Sequence, residues 1–309
     1  MNVICSGDSF VPMELRQLEY FVAVADEMSF TRAAARVHVV QSALSTSIKK
    51  LEDELSVQLF DRSRQQIRLT PAGERLREHA RHLIRSARLA KDSLSDLRGH
   101  LSGTVDVGSL VTFGKLDVAR VMGQFHAAHP FVRIALRLSQ TGSSAYLSSI
   151  ADGTLDLALV SAPDRRQPGV DTHVLAEEPM VFVCRADHGL ATRSRVPIAE
   201  LATEDLVGFP VGFGIRRMID DAFAAAGVAG RTPYEVPADF TVAAALIRNG
   251  LGTAFMPASE AARFPDLTAV ELTVPVIWQI HLATPPPQLT SPAAAMLASM
   301  LLEAAAQPG

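Results

Sequence analysis

Cysteine is scarce, with 2 residues in 309, and the two lie far apart, Cys5 near the start and Cys184 in a Val-Phe-Val-Cys strand pattern. That excludes a disulfide framework and is compatible with a reducing compartment. No segment comes near the roughly 18 uninterrupted apolar residues of a membrane-crossing helix. Residues 1–12 include Asp8 and lack the basic start and apolar run of a secretory signal, so they read as a disordered extension or as the product of an upstream start, with Met13 the more natural beginning. The expected location is the cytoplasm. Enzyme signatures are missing as well. There is no Gly-x-Ser-x-Gly elbow and no His-Glu-x-x-His, and no P-loop lysine follows Gly212-Phe213-Gly214. No catalytic residue, metal site or cofactor is expected. His79 and His82 have no Cys or carboxylate cluster beside them, and His126 and His129 sit where a positive charge offsets a helix dipole.

A positive surplus is also lacking, since the formal net charge is -4. Its distribution is uneven. Residues 1–100 carry 15 Lys/Arg against 13 Asp/Glu, whereas residues 101–309 carry 14 against 20. Any nucleic-acid contact in the first part therefore depends on where individual cations stand, not on a general positive field.

What is present begins at Leu15. Leu15, Leu18, Phe21, Val22 and Ala25 recur at helical spacing; Phe30, Ala33, Ala34 and Val37 mark a short second helix that Ser29 can cap. In a third helix Leu44, Ile48, Leu51 and Leu55 form the apolar stripe, which leaves Gln41, Ser42, Ser45, Thr46 and Lys49 on another side. Alone, this pattern fits equally well a three-helix unit whose polar face meets water. The continuation decides for DNA. Leu59-Phe60-Asp61-Arg62 and Ile67-Arg68-Leu69-Thr70 read as two short strands around a basic tip, Ser63-Arg64-Gln65-Gln66, which makes a wing. We expect Gln41, Ser42, Ser45, Thr46 and Lys49 in the major groove, Thr31 and Arg32 close by, and Arg62, Arg64 and Gln65 on phosphates or the minor groove.

In these segments Phe21, Ser29-Phe30, Ala33-Ala34, Gln41-Ser42-Ala43-Leu44-Ser45, Leu51-Glu52, Leu59-Phe60-Asp61-Arg62 and Leu69-Thr70-Pro71-Ala72-Gly73 resemble the winged helix-turn-helix of LysR-type transcriptional regulators. Two positions depart from the family pattern. Val40 stands where a capping Ser or Thr is common, and Ser56 where Gly usually ends the recognition helix.

From Pro71 to Leu101, Leu76, Ala80, Leu83, Ala87, Ala90, Leu94, Leu97 and Leu101 alternate spacings of four and three. This is a heptad seam in search of a partner helix, with Leu76, Leu83, Ala87, Ala90, Leu94 and Leu97 as dimer contacts. The alternative is an amphipathic helix lying on its own domain. The family resemblance implies an antiparallel linker-helix homodimer, a dimer of dimers, and an operator of double-stranded DNA with interrupted dyad symmetry.

After Gly103 the composition shifts to short apolar runs alternating with helical segments, the pattern of an α/β domain. Gly153-Thr154-Leu155-Asp156-Leu157-Ala158 and Gly250-Leu251-Gly252-Thr253-Ala254 resemble the two-lobed effector domain of the same family, which shares its architecture with periplasmic solute-binding proteins. The expected organisation is an extension at 1–12, a mainly α winged helix-turn-helix at 13–70, a linker helix at 71–101 and a two-lobed α/β effector domain at 103–309. Lobe I takes 103–172 and 275–309; lobe II takes 173–274. Loops rich in Ser, Thr and Gly precede helices in both lobes, so Val111, Thr112, Phe113, Gln140 and Thr141 should face Phe209, Gly212, Phe213 and Thr241 across a cleft, with Arg216 or Arg217 adding charge. The implied ligand is a small molecule, an organic acid by preference. Two other classes stay open: a solute-binding or ligand-processing α/β protein, and an architectural DNA-binding protein with no effector. No membrane partner is expected.

Overall fold

Apolar residues at helical spacing build the first three helices, α1 (Leu15–Glu27), α2 (Phe30–Arg36) and α3 (Gln41–Leu55). In this computed structural model residues 13–62, 67–96, 100–110, 112–138, 142–161, 167–236 and 239–306 are described, and they divide into two units at Lys91/Asp92. Of the predicted site residues, Arg64, Gln65, Leu97, Val111, Gln140 and Thr141 lie outside the described residues, as does the side chain of Leu94.

The first unit is held by Phe21, Val24, Leu44, Ile48, Leu51, Leu59 and Phe60, all fully buried or nearly so. The Phe60 ring meets Phe21 at 5.4 Å and Phe30 at 5.8 Å. Leu15 and Leu55, expected inside, are exposed because Leu15 stands on the first turn of α1 and Leu55 on the last turn of α3, at the ends of the stripes that this cluster covers. Ser29 caps α2 by accepting from the Arg32 amide at 3.3 Å. Helix α3 starts after Val40 with no side-chain cap, so Ser42 does not supply one a turn later, and Ser56 closes it in the left-handed region at φ 54°.

Strands β1 (Phe60–Asp61) and β2 (Arg68–Leu69) pair antiparallel as the base of the wing. Buried Glu52 organises that base: Oε1 accepts from the Leu59 and Phe60 amides at 2.8 and 3.2 Å, and Oε2 accepts from Arg62 at 3.0 Å. Helix α4 (Pro71–Asp96) leaves the wing at Gly73, where a Cβ would stand 2.2 Å from the Leu59 carbonyl oxygen. It is described as far as Asp96, and Leu101, the expected last residue of the seam, packs instead on a core of the second unit. Leu76 does not belong to a free seam. It packs with Ala80 on the core of the first unit, while Leu83 is 47% exposed.

The second unit follows as β3 (Gly103–Ser109), α5 (Val118–Ala128), β4 (Val132–Leu138), α6 (Ser143–Ala151), β5 (Leu157–Ser161), β6 (Asp171–Arg185), β7 (Arg195–Val196), β8 (Asp205–Gly208), α7 (Gly214–Ala225), β9 (Arg231–Glu235), α8 (Phe240–Arg248), β10 (Ala254–Pro257), α9 (Ala258–Ala261), β11 (Leu267–Leu272), β12 (Ile277–Thr284) and α10 (Pro292–Ala306). Strands run β4-β3-β5-β12-β6-β11-β7, with β10 also on β6 and β8-β9 forming a parallel pair. Parallel pairing of β3 with β4 and β5 packs against α5 and α10 through Val105, Val107, Phe125, Leu157 and Leu297. A second core gathers Phe182, Phe223, Phe255 and Trp278.

Strand β6 belongs to both lobes. Asp171–Pro179 pairs with β12, and Met180–Arg185 pairs with β10 and β11. The first lobe therefore keeps the chain through Pro179, past the expected 172/173 boundary. A return crossing lies beside it, the Met180 amide donating to the Val276 carbonyl at 2.8 Å.

Replacing Glu52 by Ala removes the acceptor from two buried amides and from Arg62. We expect full-length Glu52→Ala to lose about 2–3 kcal/mol in the urea transition of the first unit, with the second unit's transition unmoved. A shift below 0.5 kcal/mol, on the order of a neutral surface change, would deny Glu52 this role.

Candidate functional site

On α3, the turn of 100° per residue that buries Leu44, Ile48 and Leu51 leaves Gln41, Ser42, Thr46 and Lys49 exposed and Ser45 half-buried along one side. Thr31 and Arg32, on α2, are also exposed. Arg32 is folded back on the end of α1, donating to the Glu27 carboxylate at 3.3 Å and to the Glu27 carbonyl. Arg62 is likewise engaged: besides its bond to Glu52 it lies 4.9 Å over the Phe30 ring. Expected as a phosphate ligand, it braces the wing in this conformation.

The second site lies where the two lobes of the α/β unit meet. A cleft of about 510 Å³, mouth included, runs between the loop after β3 and the start of α6 on one side and the starts of α7 and α8 on the other. Thr112, Phe209 and Phe213 line it as expected from their loops. Gly212 meets the opposite lobe rather than the cavity: Gly142 has φ 83°, and a Cβ there would stand 2.6 Å from the Gly212 carbonyl oxygen. Phe113 is drawn into the core beside β3, and Thr241 is exposed and outside the lining. Arg216 turns away, held by Asp220 at 3.0 Å, Glu235 at 3.1 Å and the Phe209 carbonyl at 3.1 Å. Arg217 does not line the cleft either.

Five aromatic side chains wall the cavity, Tyr146, Phe209, Phe213, Phe240 and Trp278, and among the described residues no charged side chain lines it. Sequence reasoning missed Tyr146, Ser161 and Trp278. Trp278, the single tryptophan of the chain, sits near the start of β12; its Nε1 donates to Ser161 Oγ at 2.7 Å. Ser143 Oγ accepts from the Ser161 amide at 3.0 Å, and Tyr146 Oη donates to the Ser109 carbonyl at 2.7 Å. Beneath the cleft, Thr112 donates to buried Glu260 of α9, and buried Glu178 of β6 accepts from the Ser259 amide and hydroxyl at 2.8 and 3.0 Å. Lobe I and lobe II are thus tied by hydrogen bonds as well as by the glycine contact. Helices α6 and α7 both open on the cleft, after Gly142 and Phe213, and among the described residues no side chain caps their first amides.

A three-helix head with a wing, followed by a two-lobed α/β unit with a cleft, defines a regulator class that couples DNA reading to a sensing domain. Residues 15–74 match the family described as bacterial regulatory helix-turn-helix protein, lysR family, and residues 98–306 match the LysR substrate binding domain. The HTH-type transcriptional regulator YybE of Bacillus subtilis (strain 168) is 30% identical over 263 residues, 85% of this chain and 89% of that protein. The hydrogen peroxide-inducible genes activator of Dickeya chrysanthemi is 33% identical over 204 residues, 66% of each chain. Among solved structures, CbnR, a LysR family transcriptional regulator, superposes with a TM-score of 0.65 at 26% identity over 96% of this chain and 100% of its own. CbnR has also been solved complexed with its target DNA. The chain belongs to the LysR family of transcriptional regulators.

Because the lobes touch glycine to glycine, Gly142→Ala should force them apart, and the lone tryptophan at the cleft reports it. We expect stronger acrylamide quenching of Trp278 and a lower melting temperature in this variant. Unchanged quenching would show that the lobes do not close at this point in solution.

Proposed function

We propose that this chain is a cytoplasmic, homo-oligomeric transcriptional regulator, without enzymatic activity, whose DNA binding answers to a small molecule held between the two lobes. Gln41, Ser42, Ser45, Thr46 and Lys49 read base edges, and Thr31, Arg32, Arg64 and Gln65 hold the flanking backbone. CbnR bound to its target DNA supports duplex DNA as the partner. Arg62 serves this by fixing the wing.

One observation carries the effector reading: two helices from opposite lobes begin, uncapped, at a cavity that is otherwise aromatic. Their first amides have no intrahelical acceptor and sit at the positive end of the helix dipole. Ser143 and Ser161 each use the hydroxyl oxygen to accept, leaving the hydroxyl proton to donate. The site offers donors and apolar walls, which suits an organic acid with an apolar body better than a sugar or a cation. Among the described residues, Cys184 does not fit a titrating sensor thiol. Cys184 is fully buried, and burial, with Glu204 and Asp187 nearby, pushes its thiol up to about 11. It lacks the exposed, low-pKa character of a peroxide-reactive cysteine, so the name of the Dickeya relative does not carry over as a thiol mechanism.

A panel of small carboxylic acids, screened by melting temperature and Trp278 emission, tests the site. With the acid that binds, Ser143→Ala should weaken affinity by about tenfold to a hundredfold, the cost of one hydrogen bond to a charged group, while effector-free DNA affinity stays put. If no acid shifts either signal and a neutral or cationic metabolite does, the anion reading falls.

Dimerisation is proposed on α4 beyond Ala80, where Leu83, Ala87 and Ala90 continue the stripe away from the head's core. Leu83→Asp should dissociate the dimer in ultracentrifugation and lower operator affinity with it, because one recognition helix spans a half-site. A dimer of unchanged strength would place the interface elsewhere.

A further inference from the structure

A second surface of the head is fit for DNA. About a quarter-turn round α3 from Ser42, Thr46 and Lys49, the residues Ala43, Ser47 and Lys50 face the N-terminal turns of α1. Between them lies an open groove of about 1000 Å³, mouth included, whose other bank is Glu14, Arg16, Gln17 and Tyr20. Ser42 and Thr46 line it too, so groove and reading face share an edge.

The bank is pre-arranged. Arg16 Nε donates to Tyr20 Oη at 2.7 Å and the guanidinium lies 5.4 Å over the Tyr20 ring, while the ring itself is buried in the head. That bond uses one of the five guanidinium N–H groups. Lys50 stands 3.6 Å from Glu54 with 64% of its side chain exposed, a loose pair that a stronger anion can displace. Glu14 is the acid on the rim, so the groove is a mixed surface with two long cations and hydroxyls at its centre, not a general basic patch. An α-helix with its side chains, about 10–12 Å across, fills a major groove about 12 Å wide. When one side of α3 meets base edges, the side a quarter-turn away meets the phosphates of one wall.

We propose that this groove seats the phosphodiester backbone along one wall of the major groove, with Arg16, Ser47 and Lys50 as its ligands and Tyr20 as the residue that positions Arg16. The proposal rests on the reading of α3 as the recognition helix. It adds a sequence-independent grip on the side of α3 that faces α1, at a head whose overall charge supplies little attraction.

The test uses the full-length protein and a mixed-sequence duplex, with anisotropy titrations repeated across salt concentrations. Each lost phosphate contact lowers the slope of log affinity against log salt by about 0.9. Arg16→Ala and Lys50→Ala should each remove about one such unit, alike for every duplex sequence, with unchanged melting temperature. Arg16→Lys should restore the slope, and Tyr20→Phe should keep it while weakening binding several-fold. If the Arg16→Ala/Lys50→Ala double variant keeps the slope and affinity of the unaltered protein while Lys49→Ala lowers them, the groove is not a phosphate seat and the reading of α3 stands. If neither Lys49→Ala nor the double variant has any effect, the reading of α3 fails and takes the groove with it.

Discussion

Strand β6 is the constraint on which the sensing unit depends. A single strand of 15 residues is hydrogen-bonded to β12 along its first part and to β10 and β11 along its second, so neither lobe can form its sheet without the segment that runs into the other. The crossing falls at Pro179 and Met180, where the strand changes partners and Val276 returns alongside. Two adjacent crossings let the lobes change their separation with small adjustments at few residues, while the ladders on either side stay intact. Glu178 stands at that crossing, and its bonds to Ser259 place a buried, hydrogen-bonded side chain where the lobes join. The pivot is therefore specific in geometry and not a slack linker.

The head is governed by another buried carboxylate. Glu52 sits on the core side of α3 and reaches the first amides of the wing, so the recognition helix and the wing are set relative to each other by one side chain rather than by the two-residue strands alone. Arg62 completes the arrangement from outside, stacked on Phe30, which itself packs on Phe60. This chain of contacts links α2, α3 and the wing, and it explains why an arginine at the wing's base is spent on structure.

Much of this was legible in the residues, and the failures have physical reasons. Helical periodicity located α1, α2 and α3 closely because their apolar faces are strongly patterned, and Ser29 announced its cap. Heptad spacing overstated the free seam of α4, since spacing alone does not tell whether Ala80 and Leu76 meet a second copy or the head beneath them; burial decides for the head. Strand β9 escaped notice because Pro233 interrupts a mostly exposed edge, and β6 was seen only as its apolar half, Met180 to Cys184, because the other half opens on the exposed run Asp171 to Val174 and mixes buried with exposed residues after it. In the cleft, loop chemistry found Thr112, Phe209 and Phe213. Tyr146, Ser161 and Trp278 come from a helix and two strands, where nothing local distinguishes a side chain that faces a cavity from one that faces a core.

The composition of the cleft bears on how tightly it can hold a ligand. On the anion reading proposed above, with Arg216 committed to Asp220 and Glu235 and no charged side chain among the described residues of the lining, attraction would come from fixed amides and hydroxyls, which do not reorganise on binding. Such donors act at short range and require the lobes to be near each other, because α6 and α7 start on opposite sides. An anion that bridges both helix starts therefore gains most in the closed arrangement, and the differential affinity that shifts a two-state equilibrium follows from that geometry. A full positive charge in one lobe would bind the same anion whether the lobes were open or closed.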